Sequence, residues 1–265
     1  MRGFIAFSIG TAAGAGALAF RERRNRTRAE RLGAATLETL LNAIEANDAE
    51  TGAHVRRVAA YSLVLGQAAD LDERMLHAIE RVALFHDIGK LHEAVTDIFH
   101  DVGKLTPDER LAVMTHPIRG AQVLEPLAAF YPELPKGVAA HHERWDGTGY
   151  PRGLKGKRIP LTARLVAITD SFDAITHQRR YAHAKSFKEA ATAIAAGRGT
   201  QFDPELVDLF LSPPVLADIE RESRRANGPK TTHRNRRRGE SQKAPDLIFR
   251  WRQPKGSSRL PDRIP

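Results

Sequence analysis

Apolar residues return every three or four positions along most of the chain. Leu37, Leu40, Leu41 and Ile44 follow the i, i+3, i+4, i+7 stripe of an amphipathic helix. Met75, Leu76, Ile79, Val82 and Ala83 repeat it, and His86 continues the same face. The run TPDE at 106–109 reads as a helix start: Thr106 caps, Pro107 suits the first turn, and Glu109 completes a capping box. SFKE at 186–189 offers a second box, and Asp203 before Pro204 opens another helix after the break GRGTQFDP. No long stretch alternates with the period of two that a half-buried strand requires. The pattern predicts an all-α domain over 32–215, with loops at 92–105, 144–160 and 177–185.

Both ends break this pattern. Residues 3–20, GFIAFSIGTAAGAGALAF, carry no charge and are followed at once by the basic segment 21–31. Eighteen apolar residues sit at the lower limit of a bilayer span. Arginines directly behind such a span hold that side in the cytoplasm. The expectation is a transmembrane anchor at 3–20, a juxtamembrane segment at 21–31 and a catalytic domain on the cytoplasmic side. A cleaved signal peptide competes, because ALA at 17–19 resembles a cleavage site. The other end, 216–265, is polar, basic and dotted with Pro and Gly, which predicts a disordered tail.

Charge sharpens the division. Residues 221–265 hold 14 Lys or Arg against 4 Asp or Glu, and residues 1–31 hold 7 against 2. With a whole-chain charge of +9, residues 32–220 are left at −6. The basic character therefore belongs to the ends, and the middle is acidic, as suits a site for cations. Nucleic acid is not expected as a partner, since no recognised motif accompanies the basic tail. A homodimer is left open.

There is no cysteine, so disulfides and thiolate metal sites are excluded. Any metal must sit on His, Asp and Glu, which suits iron, manganese or zinc. The stretch VALFHDIGKLHE at 82–93 then stands out: an apolar helix ends in an imidazole, a carboxylate and an ammonium. Burying such groups without partners costs several kcal/mol, about 2–7 for a neutral polar group and more for a charge. Further candidates lie in or beside apolar helical segments. Glu50 and His54 are four apart on one helix face; His86 and Asp87 are adjacent; His116 follows the run LAVMT; His141 and His142 follow GVAA; Asp170 interrupts ARLVAIT. Eight such groups exceed what one ion takes. A carboxylate shared between two ions can bridge them, and Asp87 is the choice for that role. Water shared by two ions becomes a nucleophile near neutral pH, which fits phosphoester hydrolysis. Lys90 lies one turn beyond His86 and could hold a phosphate oxygen or stabilise developing charge.

HDIGK followed downstream by HHERWDGTGYP resembles the HD-GYP family, a subgroup of the HD phosphohydrolases. The similarity runs over about 47–212 and includes ETGAHVRRV, GKLTPDERLAVMTHPIRGAQVLEPL, the long GYP stretch and GTQFDPELVDLFL, in the expected order. The resemblance implies an HD-domain helical bundle around a bi- or trinuclear site of iron or manganese. It implies hydrolysis of the bacterial messenger cyclic di-GMP to pGpG, and on to GMP. It also implies a ligand set: Glu50 for a third metal, then His54, His86, Asp87, His116, His141, His142 and Asp170. Asp87 and Lys90 take the catalytic roles, and Arg144, Asp146, Gly147, Gly149, Tyr150 and Pro151 match the GYP loop. Arg144 and Asp146 read as loop organisers.

Two departures from the family pattern bear on substrate. After HDIGK the chain runs LHEAVTDIFHDVGKL, with His92, Glu93 and Asp97 in the altered loop. Where the family has SDRPYR, this chain has HQRRYA at 177–182. Arg179 matches the arginine that contacts substrate phosphate, Arg180 replaces the proline as a rival contact, and Ala182 replaces a second basic residue. A related cyclic dinucleotide, another nucleotide phosphoester, or a silent module that senses a cyclic dinucleotide are the alternatives.

Overall fold

The computed structural model describes residues 31–91, 106–177 and 184–227. The expected anchor at 3–20, the loop residues His92, Glu93 and Asp97, the arginines 179 and 180, and the tail beyond 227 lie outside them. The chain divides after Asn42, and the site lies in the unit that begins at Ala43.

The described residues form helices joined by turns and by the long segment 141–160, with only an isolated bridge between Arg198 and Phe202 as extended pairing. Residues 31–47 form α1, and Leu37, Leu41 and Ile44 of its stripe are buried. Then come α2 (Ala49–Ala68), α3 (Glu73–Phe85), α4 (Pro107–Met114) and α5 (His116–Leu124). After them follow α6 (Glu133–Ala140), α7 (Leu161–Thr176), α8 (Phe187–Ala196), α9 (Pro204–Phe210) and α10 (Pro213–Asn227). The starts follow local chemistry. Asp48, Asp72 and Asp203 accept from first-turn amides of α2, α3 and α9, and the two expected capping boxes form at Thr106–Glu109 and Ser186–Glu189.

The core of the second unit is built on α2 and α7. Tyr61 and Leu65 of α2 meet Leu165, Ile168 and Phe172 of α7, with Ile194, Phe202 and Phe210 closing the far side. Phe172 sits edge-on to Tyr61, Phe187 and Phe210, with ring centroids 5.1–6.1 Å apart. Within this apolar contact, Ser62 and Thr169 satisfy each other's hydroxyls at 2.7 Å.

Two sequence expectations need correction. The tail does not begin at 216. Helix α10 runs to Asn227, and Val215 and Ile219 join the core. Its apolar residues lie four apart on one face, but Arg and Glu fill the other positions, and averaging over them hides the stripe. The membrane-anchored localisation is corrected as well: among the described residues no helix is long and apolar enough to cross a membrane, so the anchor has no support there.

Gly89 positions the site. It lies in a 3-10 turn, Ile88–Leu91, that follows α3 directly. A Cβ there would stand 2.1 Å from the carbonyl oxygen of His116 and 2.7 Å from the amide nitrogen of Gly120. Only glycine lets the end of α3 press against α5, and that contact brings His86 and Asp87 beside His116.

Candidate metal centre

Helix ends supply most of the site. A helix leaves its last carbonyls without intrahelical partners. His86 caps α3, His141 caps α6, and His116 follows α4 by two residues. Each folds its ring back so that Nδ1 reaches the carbonyl three residues earlier. His86 bonds Ala83 at 2.8 Å, His116 bonds Val113 at 2.7 Å, and His141 bonds Val138 at 2.7 Å. A carbonyl only accepts, so Nδ1 carries the hydrogen in each ring. Nε2 is then a bare lone pair aimed at the centre.

His54 is oriented by another route. It rises from α2, away from any helix end, and its Nδ1 donates to Asp173 Oδ2 at 2.7 Å. Its Nε2 lies 3.2 Å from Asp170 Oδ1, without the alignment of a hydrogen bond.

These rings form two groups whose donor atoms lie within 4.8 Å of one another: Asp87 with His116, His141 and His142, and His54 with His86 and Asp170. Asp87 stands between them. Its Oδ1 is 3.3 Å from His116 Nε2 and 3.8 Å from His141 Nε2, while its Oδ2 is 3.5 Å from His86 Nε2. Lys90 Nζ holds the same Oδ2 at 2.6 Å. Of the expected ligands, Glu50 alone joins neither group. It is exposed in the first turn of α2, where its backbone amide serves the Asp48 cap.

The donor set fits metal. His54 Nε2, His86 Nε2 and Asp87 Oδ1 are buried without a hydrogen-bond partner, and His116 Nε2 faces His141 Nε2 at 3.2 Å. Bare lone pairs that close repel unless a cation lies among them. Neutral imidazoles and carboxylates converging in this way are hard-to-borderline donors, suited to a first-row divalent ion.

The charges lean the same way. Burial, then the neighbouring His142 and His86, hold His141 well below its ordinary pKa. Burial and His116 lower His142 to about 4. Both are therefore neutral donors at pH 7. Burial works against the Asp87 carboxylate, yet Lys90 and His86 hold it well below the usual range. Burial likewise opposes charge on Asp170, but the neighbouring His54 and His86 outweigh it and hold the carboxyl well below its usual range. Burial also disfavours charged His54, but Asp170 and Asp173 outweigh it and raise the ring to about 9.

The GYP loop closes one wall. Asp146 Oδ1 accepts from the amide and hydroxyl of Thr148, and Arg144 clamps Asp146 Oδ2 at 3.1 Å, the organising role expected from the sequence. Gly147 turns the chain at φ 85°. Gly149 passes so close to the His142 carbonyl that a Cβ would stand 2.6 Å from it. Tyr150 and Pro151 follow, and the Tyr150 ring stacks on His142 with centroids 4.9 Å apart. The loop is pinned to 197–203 by the amides of Trp145 and Asp146, which donate to Gln201 and Thr200.

Three residues were not foreseen. Glu143 is buried and accepts the amides of Arg152 and Leu154 at 2.8 and 2.9 Å, anchoring the GYP loop from below. Asp173 is buried behind His54, and Arg57 holds it through Nε and Nη2. The available signal was periodicity: Asp173 follows Asp170 by one turn inside an apolar helix, and Arg57 follows His54 by one turn.

The helical fold, with two histidine–aspartate groups flanking Asp87, is of the HD-domain type. Residues 38–206 match the family model for the HD domain, and the chain belongs to that family, in its HD-GYP branch. It is 36% identical over 198 residues to a probable cyclic di-GMP phosphodiesterase of Vibrio cholerae, covering 69% of this chain and 44% of the relative. A 3'3'-cGAMP-specific phosphodiesterase 2 of the same organism is 38% identical over 174 residues, covering 65% of this chain and 33% of the relative. A cyclic di-GMP phosphodiesterase of Thermotoga maritima is 35% identical over 207 residues, covering 77% and 55%. The chain thus spans from a third to just over half the length of these relatives. Among solved structures, the cyclic GMP-AMP-specific phosphodiesterase V-cGAP3 of V. cholerae superposes with a TM-score of 0.51 at 25% identity, over 72% of this chain and 51% of that one.

Proposed function

We propose that the domain is a metal-dependent phosphodiesterase that hydrolyses a cyclic dinucleotide, with cyclic di-GMP opened to pGpG as the leading reaction. The observation that carries this reading is the pair of donor groups with Asp87 of the first lying 3.5 Å from His86 of the second, and three buried donor atoms left without partners. The names of the relatives supply the substrate class. One relative is 3'3'-cGAMP-specific by name and the solved structure is cyclic GMP-AMP-specific by name, so 3'3'-cGAMP is the second candidate.

Two ions of iron or manganese fit better than three, because Glu50 joins neither group. His116, His141, His142 and Asp87 would hold one ion, and His54, His86 and Asp170 the other, with Asp87 between. The ions would polarise a phosphate oxygen and acidify a water. The protein's own residues do the rest. Lys90 fixes Asp87 and places an ammonium beside the reacting phosphate, where a charge-assisted bond strengthens as negative charge develops. Tyr150 covers His142 and limits access of water to that ligand. In the hydrolysis a water oxygen bonds to phosphorus, and the ester oxygen departs with the bonding pair and takes up a proton. We assign phosphate binding to Arg179, with Arg180 as its rival. The domain is proposed to span 32–227, with the described helix α10 as its last element.

The test is metal content measured together with hydrolysis of cyclic di-GMP, 3'3'-cGAMP and cyclic di-AMP by the full chain. Cleavage of a cyclic dinucleotide that depends on bound Fe or Mn is expected. A metal-loaded protein that binds these ligands and cleaves none would establish a sensing module instead. Arg179→Ala should lower kcat/KM by about one to two powers of ten, since a charge-assisted contact contributes about 1.5–3 kcal/mol. Metal content should stay unchanged. An effect confined to Arg180→Ala would move the contact to the neighbour.

A further inference from the structure

Asp173 gathers more than one metal ligand requires. Its Oδ2 accepts from His54 Nδ1 at 2.7 Å and from Arg57 Nη2 at 2.9 Å. Its Oδ1 accepts from Arg57 Nε at 2.8 Å and lies 3.0 Å from His177 Nδ1. A carboxylate offers about four lone-pair directions; three take these hydrogen bonds, and His177 stands as an ion-pair partner beside Oδ1. The carboxylate is 1% exposed and His177 15%, so water competes poorly for these bonds. Arg57 lies one turn after His54 on α2, and His177 one turn after Asp173 at the end of α7, where its amide also donates to the Asp173 carbonyl at 3.0 Å. The Thr176 hydroxyl is 3.1 Å from the same His177 nitrogen, but it donates its own hydrogen to Phe172 O at 2.9 Å, so it can only accept there. His177 Nδ1 thus faces two acceptors, Thr176 Oγ1 at 3.1 Å and Asp173 Oδ1 at 3.0 Å. This is the position where the chain departs from the serine of its family pattern.

We infer that His177 is a positioning residue for the metal ligand His54, acting through Asp173. A carboxylate with one donor can pivot about it. Arg57 and His177 together fix both oxygens, so Oδ2 stays on His54 Nδ1 and the ring presents Nε2 toward Asp170 and His86. Ligand orienters of this kind typically carry a ten- to hundredfold effect on metal affinity. This rests on the metal-centre reading above. The residue belongs to one donor group only: nothing ties His177 or Asp173 to His116, His141 or His142 among the described contacts. The inference therefore predicts an asymmetric defect.

The experiment is titration of the metal-stripped full chain with Mn2+ alone, followed by calorimetry, for wild type, His177→Phe and His177→Asn. Phenylalanine keeps an aromatic ring and removes the polar contact with Asp173; the asparagine amide can still donate to Asp173. Wild type should take up two equivalents. In His177→Phe one equivalent should weaken by about ten- to hundredfold while the other keeps its affinity, and His177→Asn should bring the weak one back to within about threefold of wild type. Circular dichroism on the same samples tracks the fold. Should the phenylalanine variant not fold, His177→Ala is compared with His177→Asn on the same two equivalents. Two unchanged equivalents in His177→Phe, an asparagine variant no better than phenylalanine, or an equal loss in both sites would each overturn the inference. A folded wild-type chain that takes up no Mn2+ would overturn the metal-centre reading itself, and the role of His177 with it.

Discussion

The two donor groups face each other across Asp87, yet they are built on different principles. His116 and His141 are aimed by main-chain carbonyls at helix ends, and His86, on the other side, is aimed in the same way. His54 is aimed by a side chain, Asp173, reaching from α7. In the first mode, orientation follows from ending a helix at a histidine, and no other side chain is needed. In the second, it depends on α2 and α7 being packed correctly and on a carboxylate held from four directions. The first mode should tolerate side-chain changes around it. The second should be open to selective damage.

The most severe way to break this comparison is to remove what the groups share. Asp87→Ala should abolish hydrolysis and reduce bound metal to one equivalent or less, read by elemental analysis of the purified protein. Full activity with metal removed would refute the shared role. Next in size is Gly89→Ala. A Cβ 2.1 Å from the His116 carbonyl forces α3 and α5 apart, so about 1–3 kcal/mol of stability should be lost, together with metal affinity in both groups. Phe172→Ala is the counterpart in the apolar core: about 3–5 kcal/mol should be lost in denaturant unfolding. Its metal stoichiometry at saturating Mn2+ should remain two wherever the protein is folded. A smaller change separates the two modes of aiming. Asp173→Asn should weaken only the His54 group, by about ten- to hundredfold, because an amide can turn its N–H toward His54 Nδ1. An equal loss in both groups would erase the distinction.

The smallest effect is on pH dependence of the metal-free protein. His54 is raised in the folded state from 6.5 to about 9, so its contribution to stability is fully present below pH 6.5 and is lost as pH rises toward 9. Asp173 is depressed below 3.8, burial being outweighed by His177, His54 and Arg57, so its contribution is present above 3.8 and is lost as pH falls further. Stripped protein should therefore melt highest between about pH 4 and 6.5. Bound metal displaces the proton on His54, so the gain in Tm on adding Mn2+ should grow from pH 6 to 9. A gain that shrinks over that range would contradict the assignment of His54 as a ligand.

Much of this was legible in the sequence, and the exceptions have physical causes. Helix starts such as Thr106–Glu109 are local, so capping chemistry announces them. The histidine–aspartate donors stand out because an ionisable residue inside an apolar stripe needs a partner. Glu50 has the right spacing from His54, but spacing on one face does not tell depth, and it sits in an exposed first turn. Asp173 and Glu143 escaped because their partners are distant in sequence: His54 lies 119 residues away, and the amide of Leu154 lies eleven residues on across the GYP loop. The carbonyls that aim three of the rings leave no sequence trace. The end of the domain was placed too early because the charges of α10 conceal Ile219.

The central claim is that two ions sit on two groups joined by Asp87. Electron paramagnetic resonance of the stripped full chain reloaded with Mn2+ tests it most directly. The account predicts isolated Mn2+ signals at one equivalent that give way, at two, to the broadened spectrum of an exchange-coupled pair, and no coupled signal in Asp87→Ala. A spectrum at two equivalents that remains the sum of independent ions, or uptake that stops at one ion per chain, would contradict it.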